Sequence, residues 1–260
     1  MTSLKPLVVK IGGSTLGAHD TTMEDLVDLQ KKGQPVVVIH GGGAVITDWL
    51  KRQGVESVFV RGRRVTDEPS LQVVTAVLCG LVNKDLVSSI NKLGGQAVGL
   101  SGVDGPIIEA RIADPDLGLV GEVVKVNPGP LQALTNAGYL PVVAPAGVHR
   151  QDGSPQAGCL LNINADTVAG DVAAALEAEL VFLTDVAGVL DGEGKLLPHL
   201  NLDEAQKILA SGVASGGMIP KIEACLRALQ ASQPSLIVDG REPHALLAAL
   251  EGQTTGTRIS

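Results

Sequence analysis

Aromatic residues are scarce in this sequence. Tryptophan, tyrosine and phenylalanine together make up 2% of the 260 residues. Proteins that bind single-stranded nucleic acid stack its bases on aromatic side chains, and binding to a phosphate backbone needs clustered lysine and arginine. The net charge here is −8 at pH 7. The composition therefore predicts that nucleic acid is not a partner.

The sequence also has few residues that could form a metal or redox centre. Its three cysteines, Cys79, Cys159 and Cys225, are far apart and form no Cys-x-x-Cys pair. His-Glu-x-x-His and Gly-x-Ser-x-Gly are missing too, which disfavours metalloprotease and serine hydrolase chemistry. We expect reduced thiols and no metal ion held by protein side chains.

Long apolar runs and targeting signals are missing as well. No uninterrupted apolar stretch reaches the roughly 18 residues of a membrane span, and the N-terminus lacks the pattern of a signal peptide. These absences predict a cytoplasmic protein without a membrane partner. The common nucleotide loops, G-x-x-x-x-G-K-[ST] and G-x-G-x-x-G, are not found, so a nucleotide would have to be bound by another fold.

The sequence does contain valine- and isoleucine-rich runs that alternate with helical patterns. The runs are "PLVVKI", "PVVVIH", "VFV", "AVGL", "PVVAPAGV", "LVFLT" and "SLIV". Their continuous hydrophobicity is typical of a parallel sheet covered by helices on both faces, which predicts an α/β fold. Residues 107–112, 119–129 and 146–161 differ, because short alternating strands and Gly or Pro turns predict hairpins at a sheet edge.

The longest helical pattern covers residues 70–95. Its apolar residues are spaced as one helical face. That face consists of Leu71, Val74, Leu78, Leu81 and Val82. Such an aliphatic surface suits the core, and a subunit interface is the second possibility.

Two glycine-rich turns follow predicted strands. Lys10 and the pair Gly12 and Gly13 end the first run, and Gly41–Gly43 end "PVVVIH". Glycines at a strand-to-helix turn leave backbone N–H groups uncovered beside a helix N-terminus, which suits an anionic ligand. The alternative is that they only permit tight turns. Lysine is rarely buried without a partner, so Lys10 favours the anion site.

Three polar residues recur with period two in "LLNINAD". A strand would point Asn162, Asn164 and Asp166 to one side. A ligand or a lysine would satisfy these groups if they are buried. The alternative for Asp166 is that it caps the helix that follows.

Three further segments could bind an anion or a nucleotide. Lys221 is predicted at a helix N-terminus, where the dipole disfavours a cation, so it is either solvated or paired with an anion. Arg61, Arg63 and Arg64 are either surface residues or a carboxylate clamp. Residues 185–191 follow a buried strand and could form an adenine or ribose loop.

The ordered segments resemble the amino-acid kinase family. They are "VVKIGGS", "VVVIHGGG", "FVRGRRVTD", "VGLSGVDG", "LVGEV", "LLNINAD", "LTDVAGVLD", "SGGMIPK" and "IVDGREPHALL". "RVTD" followed by "NINAD" is similar to members that use ATP to phosphorylate the γ-carboxylate of N-acetyl-L-glutamate, the second step of microbial arginine synthesis. The resemblance implies an open three-layer αβα sandwich with a mainly parallel central sheet, and a homodimer.

The resemblance also implies two lobes and a role for each site residue. Residues 1–178 would form the amino-acid lobe and residues 179–260 the nucleotide lobe. Lys10 and Lys221 would stabilise the transferring phosphoryl group, and Asp166 would hold both lysines. Mg²⁺ is expected with ATP, bound mainly through the phosphates. The implied substrate-binding residues are Gly42, Gly43, Arg64, Asn162 and Asn164. The implied nucleotide-binding residues are Gly12, Gly13, Asp185, Val186, Ala187, Gly188, Val189, Leu190, Val213, Ala214 and Ser215.

Two departures from the family pattern bear on the acceptor. Arg63 stands where members usually carry an apolar residue, and the hairpin 149–161 is longer than usual. The alternatives are therefore a kinase of carrier-protein-linked glutamate or aminoadipate, or a non-catalytic ligand sensor. The chain also begins almost at its first strand, without the extra N-terminal helix of arginine-inhibited hexameric relatives, so we expect an arginine-insensitive dimer.

Overall fold

The computed structural model describes residues 4–12, 21–60, 63–150, 157–231, 233–253 and 256–260. Its strands are β1 (Leu7–Ile11), β2 (Val36–His40), β3 (Phe59–Val60), β4 (Arg63–Arg64), β5 (Ala97–Ser101), β6 (Ile108–Ile112), β7 (Val120–Val126), β8 (Leu140–Ala144), β9 (Ala146–His149), β10 (Leu160–Ile163), β11 (Glu179–Thr184), β12 (His199–Leu200), β13 (Ser235–Asp239) and β14 (Gly256–Ile259). Its α-helices are α1 (Thr22–Lys31), α2 (Gly43–Arg52), α3 (Glu68–Thr75), α4 (Asn83–Lys92), α5 (Gly129–Asn136), α6 (Ala165–Leu176), α7 (Leu202–Ser211), α8 (Met218–Gln230) and α9 (Ala245–Leu250).

Eight strands form one sheet in the order β12-β14-β13-β11-β1-β2-β8-β5. Neighbouring strands are parallel except for β13 and β14. The predicted mainly parallel sheet is confirmed. The run "VFV" does not join it, because Phe59–Val60 pairs with Arg63–Arg64 in a short ribbon whose Phe59 and Val60 are exposed.

Side-chain alternation along β1 divides the core into two layers. Leu7 and Val9 face a cluster that includes residues of α1, α3, α4 and α9, whereas Val8 faces a cluster with residues of α6 and α8. Helices therefore cover both faces, which confirms the predicted αβα sandwich. Lys10 follows Val8 by two residues, so strand geometry directs its side chain to the layer of α6 and α8.

Helices α6 and α8 approach each other closely at Gly170. A Cβ atom on Gly170 would lie 2.7 Å from the Cα of Ala224, so the two backbones can be this near only because Gly170 has no side chain. Asp166 lies one turn before Gly170, and Lys221 lies three residues before Ala224. The contact therefore brings Asp166 and Lys221 to the same region of the molecule.

Residues 107–112, 119–129 and 146–161 contain short strands as predicted, but these strands do not extend the edge of the large sheet. Instead β10, β7, β6 and β9 pair in that order and close on each other. Alternation along a strand predicts which face is buried, but it does not predict which strands pair. Residues 151–156, within the hairpin that is longer than usual, lie outside the described residues.

One continuous helix runs from Glu68 to Lys92, with the π-helical segment Ala76–Val82 between α3 and α4. By length and composition it could cross a membrane, with 25 residues and a mean hydropathy of 1.5, and 44% of the apolar window is buried in the fold. Val74, Leu78 and Val82 lie in the core. Leu81 is 39% exposed, so the core takes only part of the predicted aliphatic face, and the π-helical segment, whose turns are wider, contains this position.

Candidate active site

A carboxylate is buried between two ammonium groups at the first turn of α6. Asp166 Oδ1 lies 2.7 Å from Lys10 Nζ, and Asp166 Oδ2 lies 3.2 Å from Lys221 Nζ. The side chains of Lys10, Asp166 and Lys221, which we call the charged triad, are 9%, 8% and 12% exposed. A buried charge is costly without a partner, so each member depends on the others. Together they carry a net charge of +1.

The carboxylate of Asp166 is free for this pairing because another residue caps α6. Asn164 is the N-cap, and its Oδ1 accepts hydrogen bonds from the N–H groups of Asp166 and Thr167 at 2.8 and 3.2 Å. The alternative in which Asp166 caps the helix is wrong, because the helix already begins at Ala165. A negative charge in the first turn is also favoured by the helix dipole.

Lys221 is paired rather than solvated. It lies in the first turns of α8, and its Nζ also donates to the carbonyl oxygen of Gly217 at 3.1 Å. The dipole opposes a cation near this helix end, and the Asp166 carboxylate offsets that cost. The structure therefore supports the alternative in which Lys221 meets an anion.

The predicted substrate residues line one cavity of about 380 Å³, which we call the first cavity. They are Gly42, Gly43, Arg64, Asn162 and Asn164. Gly43 begins α2, and the first N–H groups of a helix have no acceptor within it. These donors and the positive end of the helix dipole make the glycine turn suitable for an anion.

Arg64 is held beside the first cavity by hydroxyl and carbonyl acceptors. Its guanidinium donates to the hydroxyls of Ser57 at 2.5 Å and Thr47 at 2.8 Å, and to the carbonyl of Gly43 at 3.1 Å. It also lies 4.6 Å from the centre of the Phe59 ring. Burial lowers the pKa of Arg64 from its usual value, yet arginine keeps its charge in proteins.

The other two arginines that the sequence predicted beside Arg64 are Arg61 and Arg63. Arg63 lines the first cavity as well, whereas Arg61 lies outside the described residues. The acceptors of Arg64 had no signal in the sequence, because single serine and threonine residues form no pattern. The same holds for the buried Thr66, which accepts a hydrogen bond from Asn162 Nδ2 at 3.1 Å across 96 residues of chain.

The wall of the first cavity contributed by β7 and α8 carries charged groups that sequence patterns missed. Glu122, Glu223 and Arg227 line it, and Arg227 Nε lies 3.4 Å from Asp171 Oδ1. Burial raises the pKa of Asp171 to about 6, with the charge of Arg227 acting against this rise and that of Glu122 adding to it. Asp171 is therefore a carboxyl that titrates near neutral pH.

A second cavity, of about 540 Å³, includes Lys221 of the charged triad in its lining. The predicted nucleotide residues that line it are Asp185, Val186, Gly188, Val189, Leu190, Val213, Ala214 and Ser215. Ala187 is exposed in the same loop, and Gly12 follows β1, where its N–H donates to the Leu183 carbonyl at 3.2 Å. Gly13 lies outside the described residues.

The loop that borders the second cavity is fixed from β14. Val189 N–H donates to Thr257 Oγ1 at 2.8 Å. Gly188 has a φ of +149°, and a Cβ on it would lie 2.6 Å from the same oxygen. Only glycine fits both the backbone conformation and this approach.

The charged triad lies where the two cavities approach each other. Asn164 and Thr167, on either side of Asp166, line the first cavity, and Lys221 lines the second. Across the described ranges, no group of three or more His, Cys, Asp or Glu side chains is arranged to hold a metal ion. The two cavities offer cations, amides and backbone N–H groups, together with the carboxylates of Glu122 and Glu223 in the first and Asp185 and Asp191 in the second.

Comparison with known proteins identifies the class. Residues 5–239 match the model of the amino acid kinase family, and the chain belongs to this family. It is 43% identical over 255 residues to the acetylglutamate kinase of Dehalococcoides mccartyi, covering 98% of this chain and 94% of that one. It is 47% identical over 250 residues to the acetylglutamate kinase of a Synechococcus species, covering 93% and 86%. The resemblance drawn from the motifs is confirmed.

Structural comparison agrees with the family assignment. The crystal structure of smu.665 from Streptococcus mutans UA159 is 30% identical in sequence, with a TM-score of 0.84 and 98% coverage of both chains. The similarity extends over both cavities, because it covers nearly every residue of the chain.

We predict that Asp171→Asn stabilises the protein at neutral pH. A carboxyl whose pKa is raised on folding stabilises the fold fully below its unfolded pKa, and this contribution is lost as the pH rises through about 6. Each pKa unit is worth about 1.4 kcal/mol and partial exposure reduces the effect, so the variant should gain about 1–2 kcal/mol at neutral pH. Urea unfolding of the wild type and of Asp171→Asn at about pH 5 and pH 7.5 measures this gain in the free energy of unfolding.

The exposed Gln72 of α3 supplies an uncharged control for this measurement. Gln72→Asn changes no titratable group and should leave the pH dependence of the free energy of unfolding unchanged. The difference in the free energy of unfolding between the wild type and Asp171→Asn should depend on pH. If it is the same at both pH values, the pKa of Asp171 is not raised.

Proposed function

We propose that this chain transfers the γ-phosphoryl group of ATP to the γ-carboxylate of N-acetyl-L-glutamate, a step of arginine biosynthesis. The observation that carries the proposal is the charged triad, buried between a first cavity lined by backbone and amide donors and a second cavity bordered by glycine-containing loops. The acetylglutamate kinases that match nearly the whole chain support the choice of acceptor.

The first cavity suits a small dicarboxylate. Its volume of about 380 Å³ lies within the range of small-molecule sites. Gly42 and Gly43 offer backbone N–H groups to the carboxylate that is phosphorylated. Arg64 and Asn162 bind the α-carboxylate side of the acceptor, and Asn164 belongs to the same polar wall.

The second cavity suits the nucleotide. Asp185–Leu190 borders it on one side and Val213–Ser215 on another, and Lys221 brings an ammonium group into its lining. ATP enters with Mg²⁺, which prefers phosphate oxygens and water where the protein offers few carboxylates. This fits the described residues, among which no side-chain cluster for a metal ion is found.

The proposed chemistry requires no general base. A carboxylate with a pKa of about 4.3 is already ionised near neutral pH, so it can attack directly. Phosphoryl transfer depends on positioning and on neutralising charge. Lys10 and Lys221 supply that positive charge from β1 and α8. Asp166 holds the two lysines and offsets their mutual repulsion.

We further propose that residues 1–178 form the amino-acid lobe and residues 179–260 the nucleotide lobe. The lining of the second cavity lies entirely within the later segment, and that of the first lies almost entirely within the earlier one. Glu223 and Arg227 of α8 also line the first cavity, so the two lobes share an interface. A cytoplasmic location without membrane or nucleic-acid partners stays an expectation from the sequence.

The building block is proposed to be a homodimer formed through the helix Glu68–Lys92. One face of this helix lies in the core, and Leu81 beside it is a large aliphatic side chain that is 39% exposed. Association through this helix would remove that apolar surface from water.

The proposed function predicts ADP release that depends on N-acetyl-L-glutamate. In a coupled assay with ATP and Mg²⁺, free L-glutamate should give a kcat/KM at least about 100-fold lower, because its α-ammonium would lie unpaired near the Arg64 guanidinium. A kinase of carrier-linked acceptors, or a ligand sensor, would not turn over N-acetyl-L-glutamate. That result would refute the proposal.

Lys10→Met should abolish most of the activity while leaving the fold intact. Asp166 keeps its pairing with Lys221, and removal of one stabilising cation should lower kcat by about 100-fold or more with a smaller change in KM. Steady-state kinetics and thermal unfolding measure the two effects. Lys92→Met removes an exposed lysine at the end of α4 and should keep the wild-type kcat. A folded Lys10→Met protein with near-normal turnover would contradict the role of Lys10.

The proposed homodimer predicts that light scattering gives a mass twice the chain mass of 26.6 kDa. Leu81→Glu should shift the protein towards the monomer mass, because the new charge would be buried in the proposed interface. Leu202→Glu, at a residue that is 44% exposed on α7, is the matched control and should stay dimeric. A monomeric wild type, or a dimer that tolerates Leu81→Glu, would contradict this interface.

A further inference from the structure

His40 is a buried histidine that the proposed chemistry does not use. It is the last residue of β2, directly before the glycine turn, and is 1% exposed. Val36 and Val38 of the same strand face the layer that contains α4, so alternation directs His40 to that layer as well. There it meets Asn83, the first residue of α4.

The orientation of the Asn83 amide is fixed by its other partners. Nδ2 lies 2.9 Å from the carbonyl oxygen of Val142 and 3.2 Å from that of Leu100, which can only accept hydrogen bonds. Oδ1 lies 2.9 Å from Lys84 Nζ, which can only donate. The atom of Asn83 that faces His40 Nε2, at 3.1 Å, is therefore Nδ2, which shares its two hydrogens among three acceptors and has no lone pair to accept a proton from Nε2.

This arrangement determines the tautomer of His40. Because Nε2 accepts from Asn83, it carries no proton, and the proton of the neutral ring is on Nδ1. Nδ1 lies 2.9 Å from the carbonyl oxygen of Gly41 and donates to it. Burial is the main cause that lowers the pKa of His40 to about 4, with the hydrogen bond to Gly41 acting against it and the charges of Lys10 and Lys84 adding to it, so the neutral ring persists at physiological pH.

The two hydrogen bonds at Gly41 fix the peptide groups on both of its sides. Its N–H donates to the carbonyl of Ile11 at 3.1 Å, and its carbonyl accepts from His40. The C=O and N–H of a trans peptide point in opposite directions. The Gly42 N–H, which belongs to the same peptide as the Gly41 carbonyl, therefore points away from the His40 ring.

The glycine turn also packs against the long helix. A Cβ on Gly42 would lie 2.7 Å from Leu78 Cδ2, so Gly42 is enclosed by the segment that leads into Asn83. Gly42 and Gly43 both line the first cavity. The direction of the Gly42 N–H is thus set from behind the cavity, by hydrogen bonds that extend from the Lys84 ammonium through Asn83 to His40.

We propose that His40 is a positioning residue, whose Nδ1–H holds the Gly41 carbonyl and thereby aims the Gly42 N–H at the acceptor carboxylate, with Asn83 fixing the required tautomer. The inference rests on the proposed function, because it assigns the Gly42 N–H to the carboxylate of the acceptor. His40 itself does not touch the substrate.

Two amide substitutions separate the two hydrogen bonds of His40. In His40→Asn the side-chain amide can occupy the position of Nδ1 and still donate to Gly41. In His40→Gln the amide reaches the position of Nε2, where it can accept from Asn83 but leaves the Gly41 carbonyl without its donor. Both replacements are neutral, and each retains one of the two contacts.

The kinetic test compares these variants with the wild type. His40→Gln should raise KM for N-acetyl-L-glutamate by about tenfold, the usual worth of one buried hydrogen bond, with KM for ATP unchanged. His40→Asn should stay within about threefold of the wild-type KM for the acceptor. Thermal unfolding shows whether each variant is folded at the assay temperature. Equal losses in both variants, or an equal rise in KM for ATP, would overturn the proposal.

Nitrogen NMR of the histidine rings supplies a readout that does not depend on turnover. His40, assigned from the signal missing in His40→Gln, should be neutral and protonated at Nδ1 at pH 7. A charged ring or a proton on Nε2 would overturn the inference even if the wild type is fully active. A wild type that does not turn over N-acetyl-L-glutamate would instead refute the proposed function, so the two failures are distinguishable.

Discussion

A single carboxylate buried between two lysines links three distant parts of this chain. Lys10 comes from the central strand β1, Asp166 from the first turn of α6, and Lys221 from α8, 55 residues further on. Removing Asp166 would leave two buried ammonium groups without their shared partner, which costs several kcal/mol. The positions of β1, α6 and α8 are therefore constrained by electrostatics as well as by apolar packing.

Apolar packing makes the charged triad possible. Because β1 lies between β11 and β2 and all three are parallel, the loops after these strands leave the sheet at one edge, where α/β proteins bind their ligands. The close contact of Gly170 with Ala224 then sets the separation of α6 and α8. The two cavities meet at the charged triad because strand order and helix separation place both of them at this edge.

The sequence predicted which strands and turns carry the site better than it predicted which side chains contact each other. Continuous apolar strands predicted the parallel sheet, and the glycine turns predicted anion-binding positions. The residue patterns left Asp166 with two possible roles, since period two cannot reveal that the strand ends at Ile163 and that Asn164 takes the cap. Only the family resemblance linked Asp166 to Lys10 and Lys221.

Hydrogen bonds between residues far apart in the chain left no local pattern in the sequence. Thr66 and Asn162 are 96 residues apart, and His40 and Asn83 are 43 residues apart. A hydrogen bond between such positions depends on which strands and helices pack together, and a single sequence does not encode that as a local pattern. The partial exposure of Leu81 is also not visible in the residue spacing, nor is the π-helical geometry of Ala76–Val82 that contains it.

The two layers of the sandwich contribute different chemistry to the same sheet edge. In the register of β1 and β2, Lys10 lies beside Ile39 and Ile11 lies beside His40, so Lys10 and His40 point to opposite faces of the sheet. The lysines and Asp166 occupy the layer of α6 and α8, and the histidine–asparagine network occupies the layer of α4. A third positive charge close to Lys10 would be repelled, and the lowered pKa of His40 reflects this repulsion in addition to burial. The ammonium groups of the charged triad thus lie on the face where the phosphoryl group is proposed to pass, while the neutral His40 ring and the Asn83 amide hold the backbone donors from the other face.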